Sequence, residues 1–196
     1  MKAVLISIQP QWCELIASGK KTIEVRKTYP NIETPFKCYI YMTATKECCR
    51  FWEYITAYQN SKGEILDGSQ KVIGEFVCDE IIKITEYPDK EDSFAIEYEK
   101  GLNAIEQSCL ETKDVEQYAK GKPLYGWRIS DLKIYDKPKK LGEFYKKCKL
   151  DPDECGNCDF HGLIRKRYEI IGHCFADGKK KITRPPQSWC YVEESK

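Results

Sequence analysis

The sequence lacks the features that mark several large classes of protein. It has no run of about eighteen apolar residues, so we expect no membrane-spanning helix. Its apolar N-terminal run is too short for a signal peptide and is followed by Gln9-Pro10, so we expect a cytoplasmic protein. It also has no Gly-x-x-x-x-Gly-Lys-Ser/Thr phosphate loop and no His-Glu-x-x-His motif. These absences argue against a P-loop enzyme and against a metalloprotease of that type.

An excess of one charge is missing too. The 32 Lys and Arg nearly cancel the 31 Asp and Glu, for a net charge of +1. This balance excludes a uniformly basic nucleic-acid coat, but a local basic groove remains open because phosphate affinity depends on clustered charge. Histidine is scarce as well. The two, His161 and His173, lie in one Cys-rich segment, so a Ser-His-Asp arrangement would have to use one of them.

What is present suffices for a single domain over residues 1–196, with 41% hydrophobic and 12% aromatic residues to fill a core. Six or so β-like runs alternate with short helices and show no βαβ period, which predicts an α+β, mainly β fold. We expect a small mixed or antiparallel β-barrel with short flanking helices. The predicted strands are 3–8, 22–26, 36–45, 71–85, 124–135 and 188–192. One predicted helix begins at Pro10, and two others cover 48–58 and 113–120. Residues 60–69 are predicted to be an exposed loop.

The most informative stretch is Ser18–Lys27, between the first predicted helix and the second predicted strand. Gly19 fits a helix C-terminus. If residues 22–26 form a strand, their side chains alternate between its two faces. Ile23 and Val25 then point into a core, while Glu24 and Arg26 face a cleft or solvent.

Several segments together resemble the ASCH (activating signal cointegrator homology) domain family of the PUA-like superfamily. An apolar strand and a helix precede Gly-x-Lys-x-x-Glu-x-Arg, and Gly19, Lys21, Glu24 and Arg26 match this signature. The later strand Gly74-Glu75-Phe76 adds to this resemblance. The runs Trp127-Arg128-Ile129-Ser130-Asp131 and 184–192 resemble those of a bacterial and prophage-type subgroup. The resemblance implies a PUA-like pseudo-barrel with a cleft beside the signature.

The resemblance also implies a role in RNA or nucleotide biology. Family members include proposed RNA-binding modules, ribonucleases and amidohydrolases that deacylate N4-acetylcytidine. In those amidohydrolases a Thr nucleophile follows the signature Lys by three residues, whereas this chain has Glu24 there. This difference favours binding of RNA or a modified nucleoside over hydrolysis, and it leaves a hydrolase using Lys21 and Glu24 as the alternative.

In the functional interpretation, Lys21 and Arg26 hold a phosphate and Glu24 accepts a hydrogen bond from a base or acts as a general base. Trp12 and Trp127 offer stacking surfaces. The structural alternatives are a surface Glu24–Arg26 ion pair, which contributes little, and aromatic residues that fill the core. The predicted ligand-binding set is Trp12, Gly19, Lys21, Glu24, Arg26, Trp127 and Arg128.

Eleven cysteines without an export signal argue against a disulfide framework. Cys38 and Cys78 lie in β-like runs and are predicted to be buried hydrophobes. A Cys-rich insertion at about 148–177 has the spacing of a structural zinc site, with His161 or His173 as substitute ligands. Reduced thiols, a redox pair or a surface for a protein partner are the alternatives. The preferred zinc ligands are Cys148, Cys155, Cys158 and Cys174.

Overall fold

A six-stranded mixed sheet organises the fold in the computed structural model, which describes residues 2–44, 57–84, 93–147 and 179–193. Its strands are β1 (Lys2–Ile8), β2 (Ile23–Arg26), β3 (Phe36–Met42), β6 (Lys71–Ile84), β7 (Leu124–Lys140) and β10 (Trp189–Glu193). They lie in the order β10-β1-β3-β6-β7-β2. Only β1 and β3 pair in parallel, and every other pair in this sheet is antiparallel. The predicted mainly β, mixed architecture is confirmed.

Shorter elements flank this sheet. The helices are α1 (Pro10–Ala17), α2 (Ser93–Gln107) and α3 (Thr112–Ala119), with a 3-10 turn at Leu141–Glu143. Two small ribbons pair β4 (Ala57–Gln59) with β5 (Ile65–Asp67) and β8 (Tyr145–Lys147) with β9 (Lys179–Lys181). None of the helices in the described ranges is long and apolar enough to cross a membrane.

The two longest strands, β6 and β7, bend so that the sheet can wrap around its core. Their pairing shifts register at three points, one of them between Val72 and Gly74. A Cβ atom on Gly74 would lie 2.6 Å from the carbonyl oxygen of Lys133, so only glycine allows the backbones to approach this closely. Gly74 therefore marks an irregular point in the pairing of β6 with β7.

The core divides into three clusters of buried side chains. The largest surrounds Trp127 between β1, α1, β3, β6 and β7, and it includes Cys38 and Cys78 as predicted. A second cluster lies under β10 and the 3-10 turn, with Tyr39 and Phe144 in edge-to-face contact at 4.9 Å. The third joins Ile23 and Val25 of β2 to α2 and α3. Apolar contacts thus fix both helices against the strand that carries the signature.

The sequence located the strands of the main sheet, but the structure differs from the predictions at 60–69 and at the end of 48–58. All six predicted strands are present, with β7 extending five residues beyond the predicted end at Tyr135. The predicted loop at 60–69 instead contains β5, and Asn60 holds the hairpin by accepting hydrogen bonds from the Lys62 and Glu64 amides. Of the predicted helix at 48–58, residues 57 and 58 belong to β4, and the remainder lies outside the described residues.

Candidate functional site

The turn after α1 places the signature residues. Gly19 adopts a φ of +74°, a left-handed conformation that a residue with a Cβ rarely takes. Its amide donates to the Ile16 carbonyl, and the Lys21 amide donates to the Leu15 carbonyl at 3.0 Å. These bonds close the helix and turn the chain directly into β2. Gly19 therefore contributes to the site through the backbone and does not line the cleft.

Lys21, Glu24 and Arg26 form a buried charge triad. The Glu24 carboxylate lies between both cations, with Oε2 at 3.4 Å from Lys21 Nζ and Oε1 at 2.9 Å from Arg26 Nη2. Their exposed fractions are only 2%, 6% and 8% for Lys21, Glu24 and Arg26. Backbone carbonyls supply further acceptors, because Lys21 Nζ donates to Ser108 O at 2.6 Å and Arg26 Nη2 donates to Ser7 O. The signature thus encodes a preorganised cluster rather than a loose surface pair.

The triad has unused hydrogen-bond donors on its cations. Each oxygen of Glu24 contacts one cation, and the role of this carboxylate as an acceptor for a base or as a general base stays a prediction. Arg26, by contrast, uses only Nη2 among the residues that the structure describes, and its buried Nε has no partner there. A buried donor without an acceptor is unfavourable by about 1–3 kcal/mol. An acceptor atom that approached the guanidinium would relieve this deficit.

Burial sets the protonation behaviour of Lys21. Loss of solvation lowers the pKa of its ammonium below the ordinary value of 10.5, and the neighbouring Glu24 carboxylate opposes this shift. Cys13, beneath the triad, behaves in the opposite sense because burial raises the pKa of its thiol. The thiol therefore stays protonated and is not a candidate nucleophile at neutral pH.

The triad forms the floor of a cleft of about 890 Å³. One wall is the start of α1, which has neither a side-chain cap nor an acidic residue in its first turn. The dipole of this helix therefore places a partial positive charge at the cleft. The opposite wall is α3 together with Leu110, two residues before its start. The lining residues are Ser7, Gln9, Pro10, Gln11, Trp12, Lys21, Glu24, Val25, Arg26, Thr43, Ala44, Leu110, Asp114, Tyr118 and Gln187.

The lining combines balanced charge with aromatic faces. Two cations, Lys21 and Arg26, face two carboxylates, Glu24 and Asp114. Trp12 is partly buried, and Lys21 Nζ lies 5.2 Å from the centre of its ring, within range of a cation–π contact. Tyr118 on α3 is likewise covered by Lys27, whose Nζ lies 4.6 Å from that ring. The cleft can therefore hold a flat, nearly neutral group that accepts hydrogen bonds.

Besides Gly19, two predicted ligand residues do not reach this cleft. Trp127 is fully buried in the core, where it contacts Phe36 and Trp189, so its proposed role as a stacking surface is corrected to a structural one. Arg128 projects from β7 and is absent from the cleft lining. Its guanidinium is ion-paired with Asp79 at 2.7 Å and Glu80 at 3.0 Å, and this pairing lowers the pKa of Asp79. Arg128 therefore forms exposed ion pairs, which contribute little to stability.

The zinc prediction falls outside the part of the chain that is described. Cys148, Cys155, Cys158 and Cys174, with His161 and His173, all lie in 148–178. Within the described ranges, no group of three or more His, Cys, Asp or Glu side chains is placed to hold a metal. The zinc site stays a prediction.

Sequence reasoning missed the residues that α2 and α3 bring to the site. Ser108 follows α2 and supplies the carbonyl that binds Lys21, although the two residues are 87 positions apart. Asp114 and Tyr118 lie four residues apart on α3, so they share the face that lines the cleft. The sequence predicted a helix at 113–120, but no local signal indicated which surface this helix would cover.

Comparison with known proteins agrees with this fold. The family model described as the ASCH domain matches residues 6–154. The crystal structure of the ASCH protein from Zymomonas mobilis is similar at a TM-score of 0.50 and 17% identity, covering 98% of this chain and 88% of that one. A point variant of the same protein gives 0.51 and 17%, covering 99% and 92%. No curated protein matches. The chain therefore belongs to the ASCH domain family.

Proposed function

We propose that the cleft binds a base of single-stranded RNA, or a free modified nucleoside, stacked on Trp12 and hydrogen-bonded above the triad. The observation that carries this proposal is the buried Lys21–Glu24–Arg26 cluster on the floor of an open cleft beside a partly buried tryptophan. Every base has a π-face that can stack on an aromatic side chain for about 1–3 kcal/mol. The spare donors of Arg26 suit a base carbonyl or ring nitrogen.

The charge balance of the cleft favours a base over a phosphate as its occupant. With Lys21 charged, the four ionised side chains in the lining sum to zero, so a phosphate would gain little net attraction. A nucleobase needs no counter-charge and presents both acceptors and donors. Asp114, on the wall that α3 forms, is a suitable acceptor for an exocyclic amino group.

Replacing Trp12 by leucine should weaken RNA binding while the protein stays folded. Leucine keeps apolar volume against the core that Trp12 partly covers, but it removes both the stacking face and the contact with Lys21. We expect the dissociation constant to rise by roughly 5- to 150-fold, the equivalent of about 1–3 kcal/mol. Fluorescence anisotropy with a labelled, randomised single-stranded RNA of about 12 nucleotides would measure it.

Trp12→Phe serves as the matched control, because a phenyl ring still stacks and should recover most of the affinity. Urea unfolding of both variants would verify that the loss is not a folding defect. Equal affinities for wild type and the leucine variant, with both folded, would remove Trp12 from the site and with it the proposed mode of binding.

A hydrolase in the same cleft is the second candidate, and the lowered pKa of Lys21 favours it. Perturbed lysines near a carboxylate are common in active sites. On the binding proposal, N4-acetylcytidine and short RNA are recovered intact after incubation with the protein. Release of acetate or of shorter RNA by wild type, lost in Lys21→Met, would establish hydrolysis instead. Methionine is the control of choice because it fills the space of the lysine stem without its charge.

A further inference from the structure

A second groove runs along β10, the strand that ends the main sheet. It has a volume of about 720 Å³, and β8 lies beside β10 along it. The side chains that give it chemical character are Lys2, Lys146 and Lys147 together with Trp189 and Tyr191. Among the residues that the structure describes, Glu193 is the one carboxylate in its lining. The groove therefore combines concentrated positive charge with aromatic faces, in a chain whose overall net charge is only +1.

The ribbon of β8 and β9 holds like charges together at an energetic cost. Lys146 lies directly opposite Lys180 in its register, and like charges facing each other across two strands destabilise the pair. Within the described ranges, no carboxylate forms an ion pair with the exposed lysines of β1, β8 and β9. The exposed, unpaired set is Lys2, Lys146, Lys147, Lys180 and Lys181. A bound polyanion would relieve this repulsion.

The aromatic side of the groove is held in place before any ligand arrives. Tyr191 keeps 37% of its surface exposed, and its hydroxyl accepts a hydrogen bond from the Asn31 amide at 2.8 Å. Lys2 Nζ lies 5.9 Å from the centre of the Tyr191 ring, and the Trp189 ring contacts Tyr191 edge-to-face at 5.5 Å. A fixed aromatic face beside exposed cations is the arrangement that proteins use to follow a single strand.

The groove continues from the cleft. Gln187 lines the cleft and Trp189 lines the groove, with one residue between them. The Ser7 amide donates to Ser188 O at 2.9 Å, so this junction is anchored to the cleft end of β1. Lys2 lies at the other end of β1, five residues or about 17 Å from Ser7. One extended strand can therefore occupy both places at once.

We propose that this lysine groove binds the phosphate backbone of an RNA strand that has one base in the cleft, so that the ligand is a strand and not a free nucleoside. The inference rests on the proposed function of the cleft. Because the charges of the cleft lining sum to zero, the phosphates of a bound strand need cations outside the cleft. The lysines of the groove supply these cations. Lysines along an edge strand also prevent pairing with other chains, but that role requires no aromatic platform and no continuity with the cleft.

The test compares two double variants that each remove two exposed charges. Lys146→Ala/Lys147→Ala removes lysines of the groove, and Lys83→Ala/Lys122→Ala removes exposed lysines that line neither the groove nor the cleft. Anisotropy with the labelled RNA is measured over a salt series. The groove variant should lose about 1.4 from the slope of log K against log salt, and affinity roughly 25-fold at about 0.1 M salt. The control should keep the wild-type slope.

The remaining outcomes separate this inference from the function of the cleft. An unchanged slope in the groove variant, while Trp12→Leu weakens binding, would overturn the groove and leave the cleft proposal intact. The reverse pattern would support the groove and reject the cleft. Equal losses of slope and affinity in both double variants would show that only the overall charge of the protein matters, and would overturn the inference. Displacement of the RNA by polyglutamate at equal charge concentration would assign the groove to an acidic protein partner instead.

Discussion

Glu24→Ala is expected to lower the free energy of unfolding by about 3–5 kcal/mol, the largest loss from any single change in the cleft. The carboxylate is the shared counter-ion of Lys21 and Arg26, at 3.4 Å and 2.9 Å. Its removal leaves two buried cations facing each other with only backbone carbonyls as partners. Urea unfolding followed by circular dichroism at neutral pH would measure the loss.

The pH dependence of that loss identifies its cause. In wild type, burial already lowers the pKa of Lys21, and Glu24 limits the shift. Without Glu24 the pKa of Lys21 in the folded state falls further below 10.5. Between that lowered pKa and 10.5, the unfolded chain binds more protons than the folded one. Stability of the variant must then rise with pH, and its deficit should shrink as the pH approaches 10.5.

Two controls bracket the Glu24→Ala result. Glu24→Gln keeps the shape and one acceptor oxygen, so it should unfold between wild type and the alanine variant. Asp136→Ala breaks an exposed pair with Lys62, 2.8 Å apart, and should leave the unfolding midpoint unchanged. If Glu24→Ala unfolds like Asp136→Ala, the triad is hydrated in solution and the buried-charge argument is wrong.

The sequence was sufficient where local rules decide the outcome. Alternation along 22–26 separated Ile23 and Val25 from Glu24 and Arg26, and the structure places the apolar pair in a core cluster and the charged pair in the cleft lining. Gly19 was predicted to lie at the C-terminus of the first helix, and its positive φ just after α1 agrees with this. These features depend on neighbours within a few residues, which a single sequence displays.

The sequence was insufficient where contacts across the chain decide. Trp12 and Trp127 look alike as isolated tryptophans, yet the first lines the cleft and the second lies in the core. The burial of the triad also could not be predicted, because it depends on α2 and α3 docking over β2. In the buried triad, Glu24 is the shared counter-ion of two cations, which the sequence alone did not indicate.

Trp127→Ala is the second change with a large expected effect, about 3–5 kcal/mol lost from the free energy of unfolding. The indole is 0% exposed and meets Phe36 edge-to-face with ring centres 5.7 Å apart. Alanine would leave a cavity in the largest core cluster, where β6, β7 and α1 meet. Thermal and urea unfolding would both register it as a lower midpoint.

Trp127→Phe distinguishes a core residue from a binding residue. The buried indole Nε1 has no hydrogen-bond partner among the described residues, so phenylalanine removes an unsatisfied donor while it keeps an aromatic ring against Phe36. We therefore expect a much smaller loss of stability than for alanine, and an unchanged dissociation constant for the labelled RNA. Trp12→Leu should show the opposite pattern, with weaker binding and little change in unfolding. If Trp127→Phe weakens RNA binding at unchanged stability, Trp127 acts in recognition and its assignment to the core alone is wrong.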